Sequence, residues 1–196
     1  MTEGKTALIA VDVQRDFYAA DGALSVPCGH EVIEPLAARA AGVDVVVVSK
    51  DWHPASHVSF GDQGGSWPAH CVQDSPGAEV ATPLQEVADL VVHKGAEPGL
   101  EAYSAFDGRD TASGRTLAEE LRDRGVTKVL VGGLATDYCV RATVLAGLAE
   151  GFEVTALIDA MRAVDVNDGD GRRAIAEMAS AGARLSNQRP LTGDAA

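Results

Sequence analysis

Three side chains in this sequence are placed to do covalent chemistry together. Cys139 lies in GLATDYCV, where a strand-like run, TKVLVGG (127–133), gives way to a helical stretch. A free cysteine taken alone is most often a small buried hydrophobe. Asp12 falls at the end of the apolar run KTALIAVDV (5–13), and Lys94 ends DLVVHK (89–94). A thiol attacks as its thiolate, which a helix start or a nearby cation stabilises. Cys139 has the helix start, and has Lys94 if the two strands are neighbours. Asp12 would take the thiol proton and later deliver it to a leaving amine. Backbone N–H groups at Ala135 and Cys139 would hold the oxyanion. No His follows in a papain-like arrangement, so the base is a carboxylate.

A second set sits in one loop. DWHPASHVSFGDQGGSWPAHC carries Asp51, His53, His57 and His70, and so three of the chain's five histidines. A carboxylate with imidazoles is ligand chemistry for one divalent ion, whether zinc, iron or manganese; the competing reading is a solvated loop. Cys71 follows His70 but has no second Cys at metal-site spacing, so it reads as structural, as does Cys28. His30 and His93 have no nameable partner.

The elements that must position these groups alternate. Strands are expected at 5–13, 43–50, 89–94, 127–133 and 152–159, and helices at 31–42, from Thr136 to near Gly151, and over DGRRAIAEMASAG with Asp170 as its cap. Thr116 and Glu119 fit a capping box opening TLAEELRDRG. AEVATPLQEVA reads as a weak helix broken by Pro83. Continuous apolar strands between helices imply a parallel sheet covered on both faces. The expectation is one three-layer α/β/α Rossmann-like domain over 1–196, with a mostly parallel sheet of about five to six strands. Ligands of such sheets bind outside the carboxyl ends of the strands. Asp12, Asp51, His53, Lys94 and Cys139 all fall there. Two long loops, 51–78 and 95–114, follow strands and are expected to be functional. TGDAA (192–196) reads as a frayed end.

Composition excludes several classes. The formal charge of -13 argues against nucleic acid and against an anionic membrane surface. No apolar run reaches the roughly 18–20 residues needed to cross a bilayer. The N-terminal stretch has no signal-peptide pattern. Three cysteines without close spacing point to a reducing cytoplasm rather than a disulfide framework. The turn after the first strand, QRDFYAADG, is not a glycine-rich nucleotide loop.

ALIAVDVQRDF, KDWHPASHVSF, WPAHCV, HKG, YSAF and GLATDYCVRAT together resemble the nicotinamidase/pyrazinamidase family within the isochorismatase-like cysteine hydrolases. The resemblance implies Asp12, Lys94 and Cys139 as a catalytic triad, with Asp51, His53 and His70 holding the metal and His57 as a fourth ligand. It implies that Phe17, Trp67, Tyr103, Leu134, Ala135 and Tyr138 line a pocket for a flat ring, and that Leu134–Ala135 is a cis peptide aiming the Ala135 N–H at the oxyanion. The implied reaction is hydrolysis of nicotinamide, and of pyrazinamide, to the acid and ammonia through a thioester, in pyridine-nucleotide salvage. The alternative is a related amidase acting on a carbamoyl or acyclic amide. Monomer and homo-oligomer stay open.

Overall fold

The computed structural model describes residues 4–186; the expected frayed end at 192–196 lies outside the described residues. Seven strands form one sheet: β1 (Lys5–Val11), β2 (Val45–Asp51), β3 (Leu90–Lys94), β4 (Arg109–Asp110), β5 (Val126–Leu134), β6 (Glu153–Arg162) and β7 (Arg184–Ser186). Their order is β4-β3-β2-β1-β5-β6-β7, and every pairing is parallel except β3 with β4. The count exceeds the expected five to six because β4 and β7 are two and three residues long. Strands that short carry no hydrophobic period to read.

The helices are α1 (Arg15–Tyr18), α2 (Ile33–Ala40), α3 (Thr82–Gln85), α4 (Leu117–Asp123), α5 (Arg141–Ala149) and α6 (Asp170–Ser180). Strand side chains alternate between faces, and β1 shows the result. Ala7, Ile9 and Val11 join one buried cluster with Leu117, Leu121, Val144 and Met178 of α4, α5 and α6. Leu8 and Ala10 join the other, with Leu36 of α2 and Leu84 of α3. Both faces of β1 are therefore covered, which is why its sequence is apolar throughout rather than alternating.

The capping box at Thr116 and Glu119 opens α4 as expected. Two local expectations are corrected. Pro83 sits in the first turn of α3 and starts that helix rather than breaking one, since the N–H it lacks has no intrahelical partner there. Asp170 is the first residue of α6, whose N-cap is Gly169; its carboxylate accepts the Asn167 N–H at 2.8 Å instead.

The strand order reverses direction at β1. Successive units run outward through β2 and β3, then return to β5 on the other side of β1. The carboxyl ends of β1 and β5 consequently border a crevice that no crossover connection fills.

Candidate active site

Asp12 leaves β1 at this crevice with φ 47°, an uncommon backbone conformation for a residue with a side chain. Ser49 of β2 holds it twice: its hydroxyl donates to Asp12 Oδ1 at 2.6 Å, and its Oγ accepts the Asp12 N–H at 3.2 Å. Lys94 closes β3 directly opposite Asp51 in the β2–β3 register. Its ammonium is 2.9 Å from Asp12 Oδ2, 3.4 Å from Cys139 Sγ and 3.2 Å from the Ala102 carbonyl, to which it donates. It also donates to Asp51 Oδ1. Asp12, Lys94 and Cys139, from three separate strand ends, thus meet in one buried place.

Cys139 reaches the site on a turn of unusual pitch. Gly133, with φ 126°, brings β5 so close to β1 that a Cβ would lie 2.1 Å from the Val11 carbonyl oxygen, so only glycine fits. The Leu134–Ala135 peptide is cis, as expected. Residues Thr136–Val140 then form a π-turn, in which the Ala135 carbonyl accepts the N–H of both Tyr138 and Val140 at 3.1 Å. Such turns recur at functional sites.

The electrostatics add an influence that the sequence does not display. Burial pushes the Cys139 thiol well up; Lys94 opposes this, while Asp12 and Asp51 add to it. The sulfur therefore rests as a thiol rather than a thiolate. Burial likewise raises the Asp12 carboxyl, against the pull of Lys94 and Ser49 and with the push of Asp51. Burial alone would lower Lys94, but the two carboxylates hold it well above its usual value and keep it charged. Asp12 Oδ2 lies off the hydrogen-bonding line of the Lys94 ammonium. Among the described residues it is the buried side-chain oxygen left without a hydrogen-bond donor.

A second cluster shares Asp51 with the first. One carboxylate oxygen of Asp51 and one ring nitrogen each of His53 and His70 lie within 4.8 Å of one another. Asp51 Oδ2 faces the Nε2 atoms of His53 at 3.7 Å and His70 at 4.0 Å. Each imidazole's Nδ1 is 2.9 or 2.7 Å from a backbone carbonyl, Gly95 O for His53 and Pro68 O for His70. A carbonyl only accepts, so Nδ1 carries the proton in both rings and Nε2 presents its lone pair to the cluster. One carboxylate, two lone pairs and a fixed outer shell fit a divalent ion with open positions. Gly95 belongs to that shell. Its φ is 60°, and a Cβ there would lie 2.5 Å from the His53 ring.

His57 is not brought into this cluster. Its Nδ1 accepts the Ser59 N–H at 3.3 Å and lies 2.7 Å from Ser59 Oγ. That places the proton on Nε2, which donates to the Leu100 carbonyl at 3.1 Å. Both nitrogens are occupied, and the ring instead stacks on His53 with centroids 3.9 Å apart.

Between the thiol and the cluster lies an apolar pocket. Phe17, Trp67, Tyr103, Leu134, Ala135 and Tyr138, all six residues expected from sequence, line it along with Cys139, Asp51 and His70. Trp67 meets Tyr138 edge to face at 5.1 Å, and its indole N–H points to the Tyr103 hydroxyl at 3.5 Å. Phe17 packs against the His70 ring at 5.5 Å.

Leu24, Val26 and Val164 complete the lining; they sit in irregular segments with no periodic signal. Sequence reasoning also missed Gln14 and Ser49, the first a component of DVQ-x-DF. The Gln14 amide accepts the Asp51 N–H and donates to the Asp51 carbonyl, both at 2.8 Å, so it fixes the end of β2 from which the cluster hangs. A buried amide with all its bonds inside the protein was the available signal, and it becomes visible only in three dimensions.

Comparison with known proteins agrees with this geometry. The isochorismatase domain family matches residues 6–189. The nicotinamidase of Escherichia coli K12 is 39% identical over 200 residues, spanning 91% of this chain and 93% of that protein. The crystal structure of Pyrococcus horikoshii pyrazinamidase in complex with zinc superposes with a TM-score of 0.82 at 43% identity, covering 93% of this chain and 98% of that one. The crystal structure of PnC1 from L. infantum in complex with nicotinate gives a TM-score of 0.84 at 34% identity, covering 93% of this chain and 92% of that one.

Proposed function

This chain belongs to the isochorismatase domain family, and from that premise we propose that it hydrolyses nicotinamide to nicotinate and ammonia through a thioester on Cys139. One observation carries the reading. A thiol, a lysine ammonium and an orphaned carboxylate oxygen meet at an aromatic pocket that also touches a carboxylate–imidazole cluster. Pyrazinamide, which differs by one ring nitrogen, is a second substrate of the same site. Single-domain organisation over 1–196 is part of the proposal. So is a cytoplasmic setting, which the three free thiols fit.

The reaction follows from the resting protonation states. The substrate ring lies between Phe17, Trp67 and Tyr138, where aromatic faces favour a flat π-system. Cys139 passes its proton to Asp12, whose Oδ2 is free to take it. Burial raises the Asp12 carboxyl, which favours the transfer, and raises the thiol, which opposes it; the Lys94 ammonium offsets the second effect by favouring the thiolate. Lys94 stays charged and faces the negative charge as it moves from Asp12 to sulfur. Sulfur then attacks the amide carbon, and the oxyanion is held by the Ala135 and Cys139 N–H groups. Collapse breaks the C–N bond, and Asp12 protonates the departing nitrogen to give ammonia. Water, deprotonated by Asp12, adds to the thioester. The C–S bond breaks, the sulfur recovers its proton from Asp12, and nicotinic acid leaves and gives up its carboxyl proton to solvent or to ammonia as nicotinate.

One divalent ion held by Asp51, His53 and His70 would supply a Lewis-acidic contact that orients the pyridine nitrogen. Zinc, iron and manganese all suit one carboxylate and two imidazoles.

The test is steady-state ammonia release from nicotinamide. Wild-type protein turns over. Cys139→Ala loses at least about 10³-fold in kcat, because the nucleophile is gone and only binding and oxyanion contacts remain. Full activity in Cys139→Ala would sink the thioester. Turnover of acyclic amides without nicotinamide turnover would sink the substrate assignment.

A further inference from the structure

Asp137 stands two residues before Cys139 in the π-turn, with only 8% of its surface exposed. The chemistry above does not use it, yet both of its carboxylate oxygens are engaged by another segment. Oδ1 accepts the Val164 N–H at 3.0 Å and Oδ2 accepts the Asp165 N–H at 2.8 Å. Those residues lie just beyond β6, on the way to α6. Asp165 has φ 52°, and its own Oδ1 accepts the Gly171 N–H at 2.8 Å, so this turn is fastened at both ends. Val164 lines the same pocket as Cys139 and Tyr138.

We propose that Asp137 is a positioning residue that sets the width of the ring pocket by clamping the Val164 wall to the turn that carries Tyr138 and Cys139. A carboxylate suits this task because it offers two acceptor oxygens and no donor, and charge-assisted bonds to backbone N–H groups are the strong ones. An asparagine has one acceptor oxygen, and its NH2 would face the second backbone N–H, donor against donor. The size of ring admitted thus follows from a bond network behind the pocket, not only from the side chains lining it. This inference rests on the pocket being the ring site of the proposed reaction.

Asp137→Asn in the full-length protein tests it with two readouts. The first needs no activity: amide hydrogen exchange at Val164 and Asp165 is expected to quicken by about tenfold or more, with β5 amides unchanged. The second is kinetic: KM for nicotinamide is expected to rise about tenfold with kcat within about threefold, and 6-methylnicotinamide to gain relative to nicotinamide in kcat/KM. Val164→Ala, which leaves the clamp in place, should shift that ratio the same way without quickening exchange; if Asp137→Asn does not fold, exchange in the wild type carries the test of the clamp, with the Val164 and Asp165 amides expected to be protected and exchange at the free-peptide rate overturning it. Unchanged exchange in Asp137→Asn overturns the clamp. Faster exchange with unchanged KM and ratio, or a ratio unmoved by Val164→Ala, overturns its role in selectivity. A fall in kcat alone would put Asp137 at the nucleophile instead. If wild-type protein does not hydrolyse nicotinamide, the reaction assignment fails while the exchange arm still reads the clamp.

Discussion

His93 precedes Lys94 in β3 and lies outside the chemistry, but it makes the protein sensitive to acid. Its ring stacks on Trp52 with centroids 4.3 Å apart, and the Lys50 ammonium sits 4.2 Å from the centre of that indole. Burial, assisted by the Lys50 charge and opposed by Asp74, lowers its pKa from 6.5 to about 4. An unfolded chain would bind the proton near 6.5, so between those values the unfolded state holds more protons than the folded one. The stability contributed by neutral His93 is complete above about pH 6.5 and is lost as pH falls through that window towards 4. The ring is only half buried, so solvent screening reduces the loss to roughly 1–2 kcal/mol. His93→Gln has no proton to take up. Urea unfolding at pH 7 and pH 5 should show its stability falling by about 1–2 kcal/mol less than that of the wild type. Equal falls would mean that His93 titrates normally in the folded protein.

The segment after β3 is the element on which both clusters depend. It offers backbone carbonyls in turn: Gly95 O to His53, Leu100 O to His57 and Ala102 O to Lys94. Pro98 O adds a bond from the Val58 N–H at 2.7 Å. His57 is one of the side chains, with His53, that latch this segment to the 51–78 loop, and it does so beside His53 rather than within the cluster. His57→Phe keeps a ring against His53 and removes the latching Nε2 together with the Ser59 contact of Nδ1. The expected result is about one metal ion still bound per chain after dialysis into metal-containing buffer, with affinity reduced about tenfold, as for loss of an outer-shell partner. Failure to bind any ion would make His57 a ligand after all. This is also where sequence legibility ends. Asp12 and Lys94 were legible because apolar strand runs end at them, Cys139 because it opens the helical stretch that follows one, and Asp51, His53 and His70 because their types are dense in one loop. Which nitrogens of His57 are free was not legible, because it is decided by a carbonyl 43 residues away in sequence. The resting state of Cys139 was hidden for a similar reason. The helix start and Lys94 can be read along the chain, but burial, the larger influence, arises only when β1, β3 and β5 pack.

At the scale of the whole molecule, the formal charge of -13 surrounds a site that handles a neutral amide and releases an anionic acid. Coulomb interactions with the distant surface act on ions and leave a neutral solute almost untouched, and salt screens them beyond about 8–10 Å at physiological strength. Substrate entry and product retention should therefore respond differently to ionic strength. Between about 0.02 and 0.5 M sodium chloride, KM for nicotinamide is expected to change by less than about twofold, since no long-range force acts on it. The inhibition constant of nicotinate over the same range is expected to fall by about two- to fivefold, because screening removes the repulsion that helps expel the carboxylate. Lys94 does not reverse this sign. It is buried between Asp12 and Asp51, and with the divalent ion of the proposed site the local charges sum to about one positive, small beside the acidic surface. Initial-rate measurements with added nicotinate at several salt concentrations read both constants from one data set. A nicotinate constant that rises with salt would mean that local attraction in the pocket outweighs the acidic surface, and that product release is governed by the site alone.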